Sequence, residues 1–264
     1  MKTVRYAFPD GKLRCLTMSY DDGREYDRRL VGIFNKYGIR GTFHLNAGNL
    51  DKERYVTSAE IPTLYADHEV SCHTYTHPHP TVIPEASLLQ EIIADKDALE
   101  KACGYIVRGM SYPFGEFDAD SVRVFKTAGM EYSRTVNSTG KFHLPEDFMR
   151  WNPTCHHKID LMANADKFLA HKSSGIMLFY VWGHSYEFED KGNWDLIEDF
   201  CAKMANNERI WYATNIEIVD YVNAMKSLKF SQSLDMVYNP SATNVWLLVD
   251  GETVKVGAGE TVRL

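Results

Sequence analysis

The stretch LRCLTMSYDDG (13–23) decides the fold. Leu13, Cys15, Thr17 and Ser19 alternate with Arg14, Leu16, Met18 and Tyr20, and apolar residues fall on both faces. That is the pattern of a strand buried between two layers. It stops at two adjacent carboxylates, Asp21 and Asp22, followed by Gly23. Asp-Asp-Gly is also ordinary turn chemistry. Yet neighbouring carboxylates at the tip of a buried strand repel each other, and desolvating them adds to the cost. A cation beside them would relieve both.

The rest of the chain alternates strands with helices. Helical spacing covers 25–37 and ends at Gly38. A second strand is expected over 40–48, with His44 and Asn46 at its tip. Thr57-Ser58 caps a short helix ending near Ala66, and 68–73 is a third strand. Pro84 opens a long helix closed by Gly104. Strand 105–115, a helix from Asp118 to Gly129 and a short strand 130–136 follow. Residues 137–160 read as irregular. Helix 161–171 precedes the strongest strand, GIMLFYVWG (175–183). A helix over NWDLIEDFCAKMANN (193–207), strand IWYAT (210–214) and helix 215–228 complete the series. Such alternation predicts an α/β protein with parallel strands. The number of units matches a (β/α) barrel, with an open doubly wound sheet as the alternative. Neither G-x-G-x-x-G nor G-x-x-x-x-G-K-[ST] occurs, so a nucleotide fold has no motif support.

Composition shifts after Leu228. Residues 230–264 alternate, with an Asp-Gly hairpin signal at 250–251 and a turn at 257–259. The expected division is a barrel over 1–229 and a small antiparallel β extension over 230–264 packed on it. Trp246 and Tyr238 there suit either sugar stacking or structural packing, and packing is the expectation.

A net charge of −7 argues against a nucleic-acid partner. No apolar run is long enough for a membrane span. The start, MKTVRYAFPDGKLRC, has no apolar h-region. Five cysteines at wide spacing, with no C-x-x-C, fit reduced thiols. A cytoplasmic setting is therefore expected, with a secreted mature form as the alternative. Cys72 and Cys155 each precede a histidine and are conceivable metal ligands, though buried small hydrophobes are the expectation.

Two further stretches carry chemistry. In CHTYTHPHP (72–80), His73 and His77 lie four apart after a strand. On a helical turn both imidazoles would face one ion, with Asp22 as a third ligand. Two histidines and a carboxylate leave coordination positions open, the catalytic pattern; two surface histidines are the alternative. His79 is read as a loop residue. In VWGHSYEF (181–188), His184 follows the strongest strand and is either a structural histidine or a general acid. In a parallel barrel, every strand's C-terminal end opens on one mouth, so all five groups converge.

These residues, in this order, resemble the polysaccharide deacetylase family, the NodB-like carbohydrate esterases. SYDDG (19–23) resembles its first motif, TFDDG. HTYTH (73–77) matches the second, H-[ST]-x-x-H. SYPFG (111–115) looks like the third, R-x-P-Y-G, and WGHS (182–185) resembles the last. The resemblance spans about residues 11–225. It implies a distorted (β/α)₇-type barrel and metal-dependent removal of acetyl groups from oligo- or polysaccharides. Asp22, His73 and His77 match the metal triad; zinc is the expected ion, with cobalt, nickel or manganese as alternatives. Asp21 matches the general base and His184 the general acid. A backbone N–H near Phe114, beside Tyr112, would help hold the oxyanion.

The third motif's arginine, which orients the catalytic Asp, is replaced here by Ser111. Arg150, in FMRWNP, is a candidate substitute or an ordinary surface arginine. Trp151 and Trp182 are candidate pocket walls or core residues, and Glu187 could orient His184, bind sugar or be solvated. Hydrolysis of another non-peptide amide and a non-catalytic sugar-binding barrel are the competing readings. Retention of all five titratable groups argues against the latter. Oligomeric state is not legible.

Overall fold

The opening stretch forms a strand in the computed structural model, which describes residues 2–264. Numbered along the chain, the strands are β1 (Val4–Ala7), β2 (Arg14–Asp21), β3 (Gly41–Leu45), β4 (Glu69–Cys72), β5 (Gly109–Ser111), β6 (Tyr132–Arg134), β7 (Cys155–His156), β8 (Met177–His184) and β9 (Ile210–Tyr212). Five more follow: β10 (Lys229–Phe230), β11 (Met236–Tyr238), β12 (Val245–Val249), β13 (Glu252–Val256) and β14 (Thr261–Arg263). The helices are α1 (Asp27–Tyr37), α2 (Ile61–Leu64), α3 (Glu85–Cys103), α4 (Ala119–Thr127), α5 (Leu161–Ala170), α6 (Tyr186–Lys191), α7 (Trp194–Met204) and α8 (Asn215–Ser227).

Parallel strands run in the order β6-β5-β4-β3-β2-β8-β7. β2 lies at the centre. β8 pairs along its whole length on one flank, β3 pairs with Met18–Asp21 on the other, and β9 fills that flank lower down against Arg14–Leu16. The ring is closed by an irregular stretch. Trp151 bridges to Arg134 of β6, and a few residues later Cys155–His156 pairs with β8. The result is a distorted (β/α)₇ barrel.

Local rules account for the element ends. Gly38 and Gly104 terminate α1 and α3 in the left-handed region, with φ of 65° and 79°. Asp118 and Thr214 close capping boxes at α4 and α8. Two expectations need correction, and one helix was not foreseen. The strand expected over 105–115 is only Gly109–Ser111, because Pro113 follows at once. The region read as irregular holds β7, whose two residues show no periodicity. Helix α6 was hidden in YEFEDK, too short to reveal a period.

The barrel interior is polar in its lower half. Glu69 on β4 is buried and accepts hydrogen bonds from Tyr132 Oη (2.7 Å), Thr42 Oγ1 (2.9 Å) and the Ile216 amide (2.9 Å). Asn215 continues the network, bonding Thr17 and Tyr180 with its side chain and Thr42 with its amide. The first turn of α8 is thereby pinned beneath the barrel.

Residues 230–264 form antiparallel ribbons. β12 and β13 make a hairpin through Asp250-Gly251, both at positive φ, as a two-residue type I′ turn requires. β1 pairs with β12, completing one three-stranded sheet; β10, β11 and β14 make another. Val237, Val245, Leu247 and Val256 pack with Tyr221, Val222 and Met225 of α8 in one cluster.

Burial raises Glu69 to about 7 despite its three donors. Unfolding restores the ordinary value, so the unfolded chain loses this proton first as pH rises. Stability from this site therefore falls from about pH 4.5 to about pH 7 and is flat above, by on the order of 3 kcal/mol. Urea denaturation at pH 5 and pH 8 tests this. Glu69→Gln is expected to reduce the pH dependence by this site's share, with Asp27 and Asp95 keeping theirs, and a slope equal to that of the parent would refute the assignment.

Candidate active site

β2 ends at Asp21, and the chain then turns out of the strand. Asp22 has φ 83° and Gly23 φ 64°. An aspartate in the left-handed region is uncommon and costs on the order of 1 kcal/mol or more. The kink lets two consecutive carboxylates enter one pocket from different directions, which a straight strand forbids. The Asp22 amide is held by the His44 carbonyl at 2.9 Å.

His73 follows β4. The expected helical turn over 73–77 is absent. Instead, positive φ at Thr74 (63°) and His77 (62°) folds the loop back so that the imidazoles meet. Two buried side chains hold this shape. Asn46 donates to the carbonyls of His73 (2.6 Å) and Thr74 (2.8 Å). Asp95 of α3 accepts from the amides of Ala47 (2.7 Å) and His73 (2.9 Å).

One ligand atom each from Asp22, His73 and His77 lies within 4.8 Å of the others. Asp22 Oδ1 is 3.7 Å from His73 Nε2 and 3.9 Å from His77 Nε2, and the two Nε2 atoms are 3.1 Å apart. A tetrahedral ion bonded at about 2.0–2.1 Å needs its donors roughly 3.3–3.4 Å apart, so the spacing fits. Proton placement agrees. His73 Nδ1 lies 2.9 Å from the Ser111 carbonyl, which can only accept, so the proton sits on Nδ1. The Nε2 lone pair is then left facing the cluster. Burial lowers His73 to about 4, which keeps the imidazole neutral.

Asp21 sits beside this triad, 3.9 Å from His73 Nε2. It is buried and ion-paired with the fully buried Arg134 of β6. Burial alone would raise Asp21, but Arg134, then His73, His44 and His184, outweigh it and hold the carboxyl well below its usual range. Ser111 Oγ donates to Asp21 Oδ1 (3.1 Å) and lies 2.7 Å from His73 Nδ1, linking the two. Arg134 also stacks over Trp182, its Cζ 4.3 Å from the ring centre.

His184 is the register partner of Asp21 across β2 and β8. Its Nδ1 is 3.5 Å from Glu187 Oε1. Burial pushes its pKa down, but Glu187, Asp21 and Asp22 outweigh this and raise it. Glu187 in turn gathers Lys158 Nζ and the Nε2 atoms of His156 and His157, both at 3.2 Å. His156, His157 and Glu187 thus have metal-like spacing. The His156 proton argues against an ion there. His156 Nδ1 accepts the Lys158 amide (3.1 Å), so its proton is on Nε2 and points at Glu187. Lys158 already supplies a cation. The cluster is a carboxylate surrounded by donors, and these, with His184, outweigh burial and hold Glu187 well below its usual range.

Three expected site residues lie elsewhere. Arg150 is exposed and pairs only with Asp147 (3.4 Å), so it does not replace the missing arginine at Asp21. Trp151 is fully buried against Tyr132, Tyr180 and Phe148, as a core residue. The Tyr112 side chain is buried, with its hydroxyl on the Met149 carbonyl (2.7 Å). Phe114, at φ 57°, is half exposed; it stacks on His79 at 3.9 Å and meets His77 edge-on at 4.5 Å. Trp182 is nearly buried under Arg134. Cys72 and Cys155 are buried and join no metal-like cluster among the described residues. Arg134 was missed: SRTV offers no signal, and only its register beside Ser111 reveals it.

Residues 9–133 match the family model described as polysaccharide deacetylase, and over them the chain carries that family's pattern. The matched part contains Asp21, Asp22, His73, His77 and Ser111. A peptidoglycan-N-acetylglucosamine deacetylase of Bacillus cereus is 23% identical over 103 residues, 38% of this chain and 36% of that protein. The chain thus spans about a third of that relative's length. Two solved structures share the fold. The Xyl-CE4 domain of a multidomain xylanase from the hindgut metagenome of Trinervitermes trinervoides has a TM-score of 0.55 at 15% identity, covering 80% of this chain and 92% of its own. A CE4 family pseudoenzyme from Bacillus anthracis has a TM-score of 0.51 at 19% identity, covering 81% and 68%. No helix among the described residues is long and apolar enough to cross a membrane.

Removing Arg134 should leave a buried, unpaired carboxylate. Arg134→Met is therefore expected to cost about 3–5 kcal/mol of stability. Arg150→Met should stay within about 0.5 kcal/mol, as exposed substitutions do. Chemical denaturation of both variants checks this, and equal costs would refute the assignment of the buried pair.

Proposed function

We propose that this chain is a metal-dependent hydrolase that removes acetyl groups from saccharides, N-acetylated in preference to O-acetylated. One observation carries the reading: Asp22 Oδ1 and the Nε2 atoms of His73 and His77 converge within 4.8 Å, beside a second, buried carboxylate. The Bacillus cereus relative, described as acting on N-acetylglucosamine, supports the N-acetyl preference.

Asp22, His73 and His77 would hold a divalent ion, with zinc the expected one. Bound there, it would supply Lewis acidity and lower the pKa of water. Asp21, kept ionised by Arg134, is placed to accept a proton from the attacking water. Ser111 fixes the Asp21 carboxyl and the His73 ring together. His184, on the neighbouring strand end, carries a proton and gives it to the departing amine. Glu187 orients His184 and keeps it protonated. The exposed edge of Phe114 borders the pocket on the sugar side, and its turn's backbone is the proposed oxyanion donor. Residues 230–264 form an extension that contributes no catalytic group. Hydrolysis of another non-peptide amide would use the same atoms and is separated by substrate alone.

Acetate release from N-acetyl oligosaccharides and acetylated xylan, with and without chelator, tests the reading; release unaffected by chelation defeats it. His73→Ala is expected to lose stoichiometric metal. Asp21→Asn should keep the metal and lose about 10²- to 10⁴-fold in turnover, the usual worth of a general base. Metal analysis beside kcat decides, and a metal-free Asp21→Asn protein would reverse the two aspartates' roles.

Glu187→Gln removes a charge that raises the His184 pKa. The acid then loses its proton at lower pH. The basic limb of the kcat profile is expected to move to lower pH with metal content unchanged. An unmoved limb would mean that Glu187 does not set this proton.

A further inference from the structure

At the opposite end of the barrel, a groove runs between α8 and the 240–246 segment. Two open hollows of about 300 and about 470 Å³ adjoin there, sharing Asp220 and Thr243 in their linings. Trp211, Trp246 and Tyr221 line one end. Asn223, Ser227 and Ser241 line the other. The indoles are partly exposed.

The walls are rigid. Buried Asn239 ties the 240–243 loop by donating to the Thr243 (2.8 Å) and Val256 (3.1 Å) carbonyls and accepting from the Ser241 amide (3.0 Å). Tyr221 Oη donates to the Ala7 carbonyl (2.6 Å) and accepts the Trp246 amide (3.0 Å), which fixes the aromatic end. The groove is also charge-balanced. Asp220 is held by Arg108 at 2.6 and 2.9 Å, and Glu217 by Arg40 at 2.7 Å. An anionic ligand would meet two carboxylates, and a cationic one would find them already paired. Partly exposed indoles, with Lys255 Nζ 5.6 Å from the Trp246 ring centre, beside amide and hydroxyl groups suit a ligand with an apolar patch and a rim of hydroxyls.

We propose that this groove binds a run of uncharged pyranose residues and anchors a polysaccharide. The choice of a saccharide over other neutral ligands rests on the deacetylase reading. Trp211 pairs with Cys15 at the start of β2, whereas Asp21 ends it. Six steps of about 3.3 Å put Cys15 and Asp21 roughly 20 Å apart. A short oligosaccharide cannot fill both sites, and a polymer can. Anchoring then raises the effective concentration of acetyl groups at the mouth.

Co-sedimentation with insoluble chitin, peptidoglycan and acetylated xylan tests the proposal. Trp246→Ala removes the platform. Asn223→Arg, at an exposed helix position, blocks the groove without removing core packing. Both are expected to weaken binding to at least one polymer by tenfold or more. Parent-like binding by both groove variants, or no binding by the parent, overturns the proposal. Loss of a dimer in sedimentation velocity, with no polymer effect, would assign the groove to a second copy and overturn it as well. Groove-dependent binding without any acetate release would defeat the catalytic reading and leave this one standing.

Discussion

A buried carboxylate beside another carboxylate must be neutralised, and the geometry of the barrel mouth follows from how Asp21 is. Its partner is a guanidinium with no solvent exposure. Taking two charges out of water costs several kcal/mol per ion, and mutual attraction offsets this only when the geometry is tight and the remaining polar atoms are satisfied. Here Ser111 satisfies a second Asp21 oxygen, the Thr135 carbonyl takes another guanidinium N–H, and Trp182 covers the guanidinium face, while Arg134 Nε is left buried without a hydrogen-bond partner among the described residues. β2, β5, β6 and β8 are thereby tied together at one level.

Other buried carboxylates are handled differently. Asp27, Glu69 and Asp95 have no cation and rely on neutral donors, and burial raises each to about 7. Each joins elements distant in sequence. Asp27 on α1 accepts from Ser185, next to His184, and from Tyr65. Asp95 on α3 clamps the loops after β3 and β4. Glu69 holds the start of α8. Asp27 and Asp95 thus position the mouth and Glu69 the lower end through buried acids that gain little stability themselves, so these residues are better understood as fixing geometry.

The barrel was legible because strands such as 13–21 and 175–183 are continuous apolar runs that only a two-sided burial explains. The meeting of Asp21, Asp22, His73, His77 and His184 at one barrel mouth was expected because each lies just past, or in the loop following, a strand read from the sequence. What stayed hidden had no local signal. β7 is two residues long and exists only because β8 offers it a partner. The 73–77 loop was read as helical from its spacing alone, whereas the convergence comes from two positive-φ residues that spacing cannot report. Trp151 stayed open between pocket wall and core because a tryptophan beside an arginine is ambiguous, and burial resolves it toward the core.

The missing arginine illustrates the difference most sharply. The motif resemblance places an arginine at position 111, on β5. In this chain that position is a serine, and the arginine stands at 134, its direct register partner on β6. Neighbouring strands lie only about 4.8 Å apart, less than the length of an arginine side chain, so a guanidinium can reach the same carboxylate from either strand. The shift works only if position 111 becomes small. An arginine at both sites would crowd two like charges against one carboxylate; serine leaves room and still donates a hydrogen bond. What the site requires is a positive charge at the Asp21 oxygens rather than an arginine at a given place in the sequence. A search confined to one motif sees a loss there, while the sheet register shows a substitution in space.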